Sequence, residues 1–198
     1  MNMLPHTPLR QAQGKQQRGG THFYNLMPIL AMILPLGCVD PVKPVSTCPT
    51  TQPQRVHDDK SGFSIIPPEG YVSTGATRQH FLNYLGPSET GFTVNFNVCV
   101  RSDDGTEMQQ AGAKASRIMS LLLRDYKLIE HQLSNIGGHA SYCSSGTFTW
   151  SAKRCRNLQY FIRGGNGRLY VITFASLEES FDRHRSTFEA AAQSIQID

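Results

Sequence analysis

Cysteine is the residue type in this chain that is best suited to covalent chemistry, and the pattern around it predicts disulfides. Along the alternating stretches of the sequence, Cys99, Cys143 and Cys155 fall on the same side as polar neighbours and away from the apolar side. Cys143 and Cys155 would share a facing on consecutive strands, within reach of a cross-strand disulfide if the turn between them is tight. Cys48 would then pair with Cys99, and each bond would add about 2–4 kcal/mol of stability.

Two other chemistries of these residues are open as alternatives. Cys99, Cys143, Cys155 and His139 are of the types that bind zinc, but no Cys-x-x-Cys spacing accompanies them. His139 and Cys143 stand four residues apart in a strand, about 13 Å, which is too far for a Cys–His catalytic pair. Ser144–Gly146 does not match the Gly-x-Ser-x-Gly pattern of a serine nucleophile. We therefore predict no catalytic residue, no metal site and no cofactor.

A basic cluster is the remaining candidate site. Lys153, Arg154 and Arg156 follow a long predicted strand and would form a patch for an anionic partner or a lipid headgroup. The alternative is a solvated hairpin end.

The distribution of charge argues against a nucleic-acid partner. The formal net charge is +4, but residues 1–37 contain three basic residues and no acid. Residues 38–198 therefore have 16 of the 19 Lys and Arg against 15 Asp and Glu, a net charge of +1. A nearly neutral body lacks the electrostatic footprint of a nucleic-acid-binding protein.

The periodicity of apolar residues predicts the strands and helices that position these residues. Residues 92–100 alternate strictly, with the apolar side chains on one face, which predicts a half-buried strand. The apolar run 169–175 predicts a central strand that is covered on both faces, and Gly164–Gly167 before it predicts a hairpin turn. Further strands are predicted at 63–66 and 81–85, as an early hairpin, and at 127–133, 139–150 and 156–163.

Two helices are predicted, each with a capping box at its start. The first follows Asp104 and Glu107 and should lie on the apolar face of the sheet, and the second follows Ser176 and Glu179. This order of strands and helices predicts an α+β domain with a mainly antiparallel sheet. The inward stripes are Ala111, Ala115, Ile118, Leu122 and Tyr126 in the first helix and Phe181, His184, Phe188, Ala191 and Ile195 in the second.

The first 37 residues have the order of a secretory signal peptide, in which basic residues precede the apolar run Leu26–Leu36. This run ends in Gly37-Cys38 and resembles the lipoprotein box of bacterial lipoproteins, although Pro35 stands where that family usually has Leu. The resemblance implies that residues 1–37 are removed and that Cys38 becomes a lipidated N-terminus. Its acyl chains would anchor the protein to a membrane.

A proline-rich tether over residues 38–60 and a domain over residues 61–198 are predicted to follow. The alternative for the segment around Cys48 is an ordered N-terminal arm that packs on the domain. The motifs of this domain are GFSIIPP at 62–68, GHA at 138–140, QYFI at 159–162, LYVITF at 169–174, Phe188 and Ser194-Ile195. Together they resemble the PsbP-like family, which includes envelope lipoproteins of the DcrB and LpqN types. The resemblance implies an α/β/α sandwich that acts by binding or assembly rather than by catalysis.

We therefore expect a lipid-anchored protein of the bacterial cell envelope, with its domain in the periplasm or at the cell exterior. Its expected partners are the membrane, through the N-terminal lipid, and an envelope protein that the domain binds or helps to assemble. A carrier of a small apolar or lipid ligand, held between sheet and helices, is the alternative, and a hydrolase is third.

Overall fold

Ten strands and two helices make up the computed structural model, which describes residues 54–77 and 82–198. The strands are β1 (Val56–Asp58), β2 (Phe63–Ile65), β3 (Val72–Ser73), β4 (Leu82–Glu89), β5 (Phe92–Ser102), β6 (Lys127–Ile136), β7 (His139–Trp150), β8 (Lys153–Arg163), β9 (Arg168–Leu177) and β10 (Gln196–Ile197). Seven of them form a sheet in the order β3-β4-β5-β9-β8-β7-β6, in which all neighbours are antiparallel. The other three form a small sheet in the order β1-β2-β10.

The early hairpin predicted for residues 63–66 and 81–85 is wrong. β2 pairs with β1 and β10, whereas β4 pairs with β5. The turn between β4 and β5 consists of Thr90 and Gly91, which both have positive φ (48° and 75°). Two such residues give the backbone twist of a tight hairpin, so β4 has its partner immediately after it in the chain.

The prediction of a central strand is confirmed, because β9 lies between β5 and β8 and is covered on both faces. Phe174 and Thr173 point to opposite faces of the sheet, and both are fully buried. The predicted hairpin before it is also confirmed: the Gly164 N–H donates to the Arg168 carbonyl at 2.8 Å, and Gly167 has a φ of 72°.

Helix α1 (Met108–Leu122) lies on the face of the sheet opposite to the one predicted. It packs on β6 and β7, on the face that carries Cys99 and Cys155, whereas Val94, Phe96 and Val98 belong to the other side. The predicted capping box is absent, since no side chain caps the first turn of α1. The inward stripe is shifted from the predicted one and consists of Met108, Gly112, Ala115 and Met119.

Helix α2 (Phe181–Gln193) covers the opposite face of the sheet. Its Phe188 stacks on Phe174 of β9, with ring centroids 4.9 Å apart, and Phe174 stacks in turn on Phe96 of β5 at 5.4 Å. The predicted inward stripe is confirmed for Phe181, Phe188, Ala191 and Ile195, while His184 is only partly buried. The predicted capping box is wrong, because Ser176 is a buried residue of β9 and a short 3-10 turn precedes α2.

One helix on each face of a mainly antiparallel sheet is the α/β/α sandwich of the α+β class that the sequence predicts. Each face has its own cluster of buried apolar residues, so the described domain contains a core of its own. Within the described residues, no helix is long and apolar enough to cross a bilayer.

Candidate functional site

The predicted disulfide between Cys143 and Cys155 is wrong. In the β7–β8 register, Cys143 lies opposite Tyr160 and Cys155 lies opposite Phe148. The two cysteines are therefore five positions apart along the hairpin, about 17 Å, and their side chains point to opposite faces of the sheet. Both are free thiols in the structure.

All three described cysteines are core residues rather than surface groups. The exposed fractions of Cys99, Cys143 and Cys155 are 3%, 8% and 0%. Burial raises the pKa of Cys99 and raises the pKa values of Cys143 and Cys155 to about 11, because the charged thiolate is poorly solvated there. Since the thiolate is the reactive form, burial disfavours nucleophilic reaction of these thiols at neutral pH. Cys48 lies outside the described residues, and its pairing with Cys99 stays a prediction.

The residues of the zinc alternative lie on opposite faces of the sheet. Cys99 and Cys155 belong to the cluster beneath α1, whereas Cys143 belongs to the cluster beneath α2. His139 has the same strand parity as Cys143, and its Nδ1 lies 3.2 Å from the carbonyl oxygen of Arg163. Among residues 54–77 and 82–198, no group of three or more His, Cys, Asp or Glu side chains is placed to bind a metal.

The two arginines of the predicted basic patch are engaged in contacts within the domain. Arg154 donates from Nε to Glu178 at 3.1 Å, and Arg156 donates from Nη2 to Glu130 at 2.9 Å. The guanidinium of Arg156 also lies over the ring of Phe181, 4.2 Å from its centroid. These contacts hold the 3-10 turn that precedes α2, α2 itself and the edge strand β6 against β8. Binding of an anionic partner at this patch stays a prediction.

Lys153, the third residue of the patch, follows a tight turn and borders a surface cleft. Ser151 and Ala152 form the turn with positive φ values of 45° and 64°. The cleft has a volume of about 340 Å³. Its lining residues are Thr90, Lys153, Arg154, Leu177, Glu178 and Glu179. Two basic and two acidic side chains cancel there, which does not favour a ligand of either charge.

A larger groove runs beside α2 and was not predicted from the sequence. It has a volume of about 450 Å³. Its lining residues are Ile66, Pro67, Pro68 and Glu69 on one side and Ser186, Thr187, Ala190, Ala191 and Ser194 on the other. The Ile66 N–H donates to Ser194 Oγ at 2.8 Å and ties the two walls together. Small side chains form the wall on α2, and this run of Ser, Thr and Ala is the signal in the sequence that indicates the groove.

Exposed apolar side chains form a second unpredicted feature, at the edge of the sheet beside α1. Leu121 and Leu122 end α1, and Leu128, Ile129 and Leu133 lie on the edge strand β6. We call these five residues the α1–β6 surface. The sequence analysis places Leu122 on the inward stripe of α1, but this residue is 39% exposed because the helix is rotated toward Met119.

The described interior of the domain does not support the alternative in which a small apolar or lipid ligand is carried between the sheet and the helices. A ligand between sheet and α2 would occupy the place of the stacked rings of Phe96, Phe174 and Phe188, each of which is fully buried. On the other face, Tyr142 fills the space between β7 and Gly112 of α1.

Residues 55–197 match the family model described as the serine/threonine kinase C-terminal domain. The chain belongs to this family. A protein kinase catalytic domain carries three motifs: a Gly-x-Gly-x-x-Gly loop that covers the nucleotide phosphates, a His-Arg-Asp motif that supplies the catalytic base, and an Asp-Phe-Gly motif that binds the metal. The sequence of this family member contains none of the three. No curated protein matches it.

Solved structures identify the fold as PsbP-like. The cyanobacterial PsbP protein CyanoP of Synechocystis matches with a TM-score of 0.60 and 16% identity, over 78% of this chain and 99% of that chain. LpqN of Mycobacterium tuberculosis matches with a TM-score of 0.55 and 11% identity, over 73% and 89%. PA94 of Pseudomonas aeruginosa matches with a TM-score of 0.52 and 15% identity, over 71% and 94%. These similarities confirm the predicted fold.

Proposed function

We propose that this protein is a non-catalytic binding module of the bacterial cell envelope, anchored through a lipid on Cys38 after removal of residues 1–37. The groove beside α2 is the observation that carries the proposal, and a segment of a partner protein is its occupant. The PsbP-like fold supports this, since it is shared with LpqN, which is described as involved in cell envelope biogenesis. The titratable groups also support it, because the described thiols are buried and the patch arginines are engaged.

The shape of the groove suits side chains inserted from outside. Pro67 and Pro68 have fixed φ angles, so this wall loses little conformational entropy when a partner binds. On the opposite wall, Thr187 and Ala190 leave room above α2 because their side chains are short. Glu69 is the one charged residue of the lining, and it favours a partner segment that combines apolar residues with a basic one.

Photocrosslinking in the native bacterium tests this assignment. A photoreactive amino acid replaces Thr187 in the groove and, as the comparison, Ser120 on the exposed face of α1. We expect one reproducible protein adduct from position 187 and none of that mass from position 120. The same adduct from both positions would show that the groove does not select the partner.

A steric block makes the test specific. Ala190→Trp fills the groove with a large side chain, and we expect it to abolish the adduct from position 187. Ala113→Trp places the same side chain on the exposed face of α1 and serves as the matched control. Retention of the adduct in the Ala190→Trp variant at wild-type abundance would contradict the proposal.

The anchor is tested separately by intact mass. The protein from a bacterial membrane fraction is expected to begin at Cys38 and to carry acyl chains. A mass that includes residues 1–37 without any modification would contradict anchoring and leave the groove assignment standing.

A further inference from the structure

Exposed apolar residues are concentrated at one place on the domain. In the described part of the chain, six large apolar side chains are exposed, and five of them form the α1–β6 surface. Leu121, Leu133 and Ile129 are 79%, 60% and 53% exposed. Scattered single leucines are normal on protein surfaces, but a cluster of this kind marks an interaction site.

The helix and strand parts of this surface border each other. Leu133 is the register partner of Tyr142, and the ring of Tyr142 lies directly against Gly112 of α1. Leu128 is the register partner of Gly146, above which the Tyr126 side chain lies. The β6 leucines therefore flank the line along which α1 rests on the sheet.

Basic residues surround the apolar ones. Arg117 lies one turn before Leu121 on the outer side of α1, and Arg124 follows in the turn after the helix ends at Leu122. Lys127 begins β6, but as the register partner of Thr147 it points to the α2 side of the sheet. Arg117 forms no ion pair within the described residues, whereas Arg124 has a 3.5 Å contact with Asp125.

The nearest other acid of β6 is engaged elsewhere. Glu130 accepts hydrogen bonds or ion pairs from Arg156 and Arg185, each at 2.9 Å, on the α2 side of the sheet. The α1–β6 surface is thus apolar with a basic rim, which is complementary to anionic lipid headgroups above an acyl layer.

A second strand is a poorer occupant for this edge. The β6–β7 register shifts between Leu128 and Glu130, which is a bulge in the middle of the exposed edge. Bulges and edge lysines such as Lys127 are the features by which sheets avoid pairing with another strand.

We infer that the α1–β6 surface rests on an anionic membrane, so that the folded domain contacts the bilayer in addition to the lipid on Cys38. The apolar side chains enter the headgroup region, and Arg117 and Arg124 contact lipid phosphates. The groove beside α2, on the other side of the sheet, remains free for a protein partner.

Vesicle cosedimentation tests the inference on residues 38–198 with Cys38→Ser, which carry the whole described core but no acyl chain. We expect binding to vesicles of phosphatidylglycerol and phosphatidylcholine, weaker binding to phosphatidylcholine alone, and a decrease at high salt. Arg117→Gln should weaken binding about fivefold, since a basic residue near such a surface contributes ~1 kcal/mol. The double variant Leu121→Ser/Leu133→Ser should weaken it about tenfold or more.

Val72→Ser is the matched control, because Val72 is 67% exposed on β3 at the opposite edge of the sheet. It should leave vesicle binding unchanged. Three results would each overturn the inference: no binding of the parent protein to anionic vesicles, equal losses in the Val72 and leucine variants, or a dimer in light scattering that the leucine variants dissociate. None of them affects the crosslinking result at the groove, so the two assignments fail independently.

Discussion

Gly112 is the closest point of contact between α1 and the sheet, and its replacement by alanine tests this packing directly. A Cβ atom at this position would lie 2.2, 2.3 and 2.4 Å from three ring atoms of Tyr142. Carbon atoms in favourable contact are about 3.5–4.0 Å apart, so either the ring or the helix has to move by more than 1 Å. Tyr142 has little freedom to move, because it is 2% exposed and packs edge-on against Phe161.

The expected loss of stability follows from two opposing effects. Overpacking of a core site costs about 1–3 kcal/mol. Alanine in the interior of a helix recovers up to about 1 kcal/mol relative to glycine. The free energy of unfolding of Gly112→Ala should therefore fall by about 1–2 kcal/mol, which lowers the Tm of a domain of this size by roughly 2–8 °C.

Thermal unfolding followed by circular dichroism measures the effect. Gly165→Ala is the matched control, since a Cβ there has no atom within 4 Å, and its Tm should stay unchanged. In a Tyr142→Leu background the clash is relieved, so Gly112→Ala should cost less than in the parent protein. An increase in Tm for Gly112→Ala, or the same cost in both backgrounds, would refute the placement of α1 on β7.

Two further predictions concern buried and paired titratable groups. Because burial raises their pKa values to about 11, Cys143 and Cys155 should resist alkylation at pH 8 in the native protein and react in denaturant; peptide mapping that finds both modified natively contradicts their core placement. Hydrogen bonds from Ser180 and then from His184 lower the pKa of Glu89. The stability that this carboxylate contributes is present above its unfolded pKa and is lost as pH falls through the lower folded value. Tm measured from neutral to acid pH should therefore fall less steeply in Glu89→Gln than in the parent, and parallel curves would exclude the linkage.

Local sequence patterns predict the strands and helices of the fold, but they do not predict which helix covers which face of the sheet. Alternation in residues 139–150 and the apolar run at 169–175 correspond to β7 and β9, and the glycines at 164–167 form the predicted turn. The stripe of α2 was predictable because four large or apolar positions repeat at helical spacing. The pairing of β2 was not, because three residues carry too little pattern to select a partner.

The candidate sites depend on tertiary placement and were for this reason only partly predictable. The basic cluster at Arg154 and Arg156 is visible in the sequence, but its carboxylate partners Glu178 and Glu130 come from other strands and turns. The groove beside α2 forms only in the folded chain, where residues 66–69 lie next to α2.

The positions of Cys99 and Cys155 show why strand alternation gives a wrong prediction of which side chains are exposed. In register across the sheet, Asn97, Thr173, Gln159 and Ser144 form a polar row on the same face as Cys99 and Cys155, and all four are buried. Such a row is stable in a core when its members satisfy each other, as Gln159 Nε2 does by donating to Thr173 Oγ1 at 3.0 Å.

Strand alternation therefore predicts a solvent face for these polar side chains, whereas the structure places them inside the sandwich. Alternation identifies the more apolar of two faces; it does not show whether the other one is covered. The residues that do reveal the second cover are the small ones of α1, Gly112 and Ala115, which let a helix approach the aromatic ring of Tyr142. A stripe of small residues opposite a strand with buried polar side chains thus indicates a second covered face, and it is this stripe that the Gly112→Ala variant perturbs.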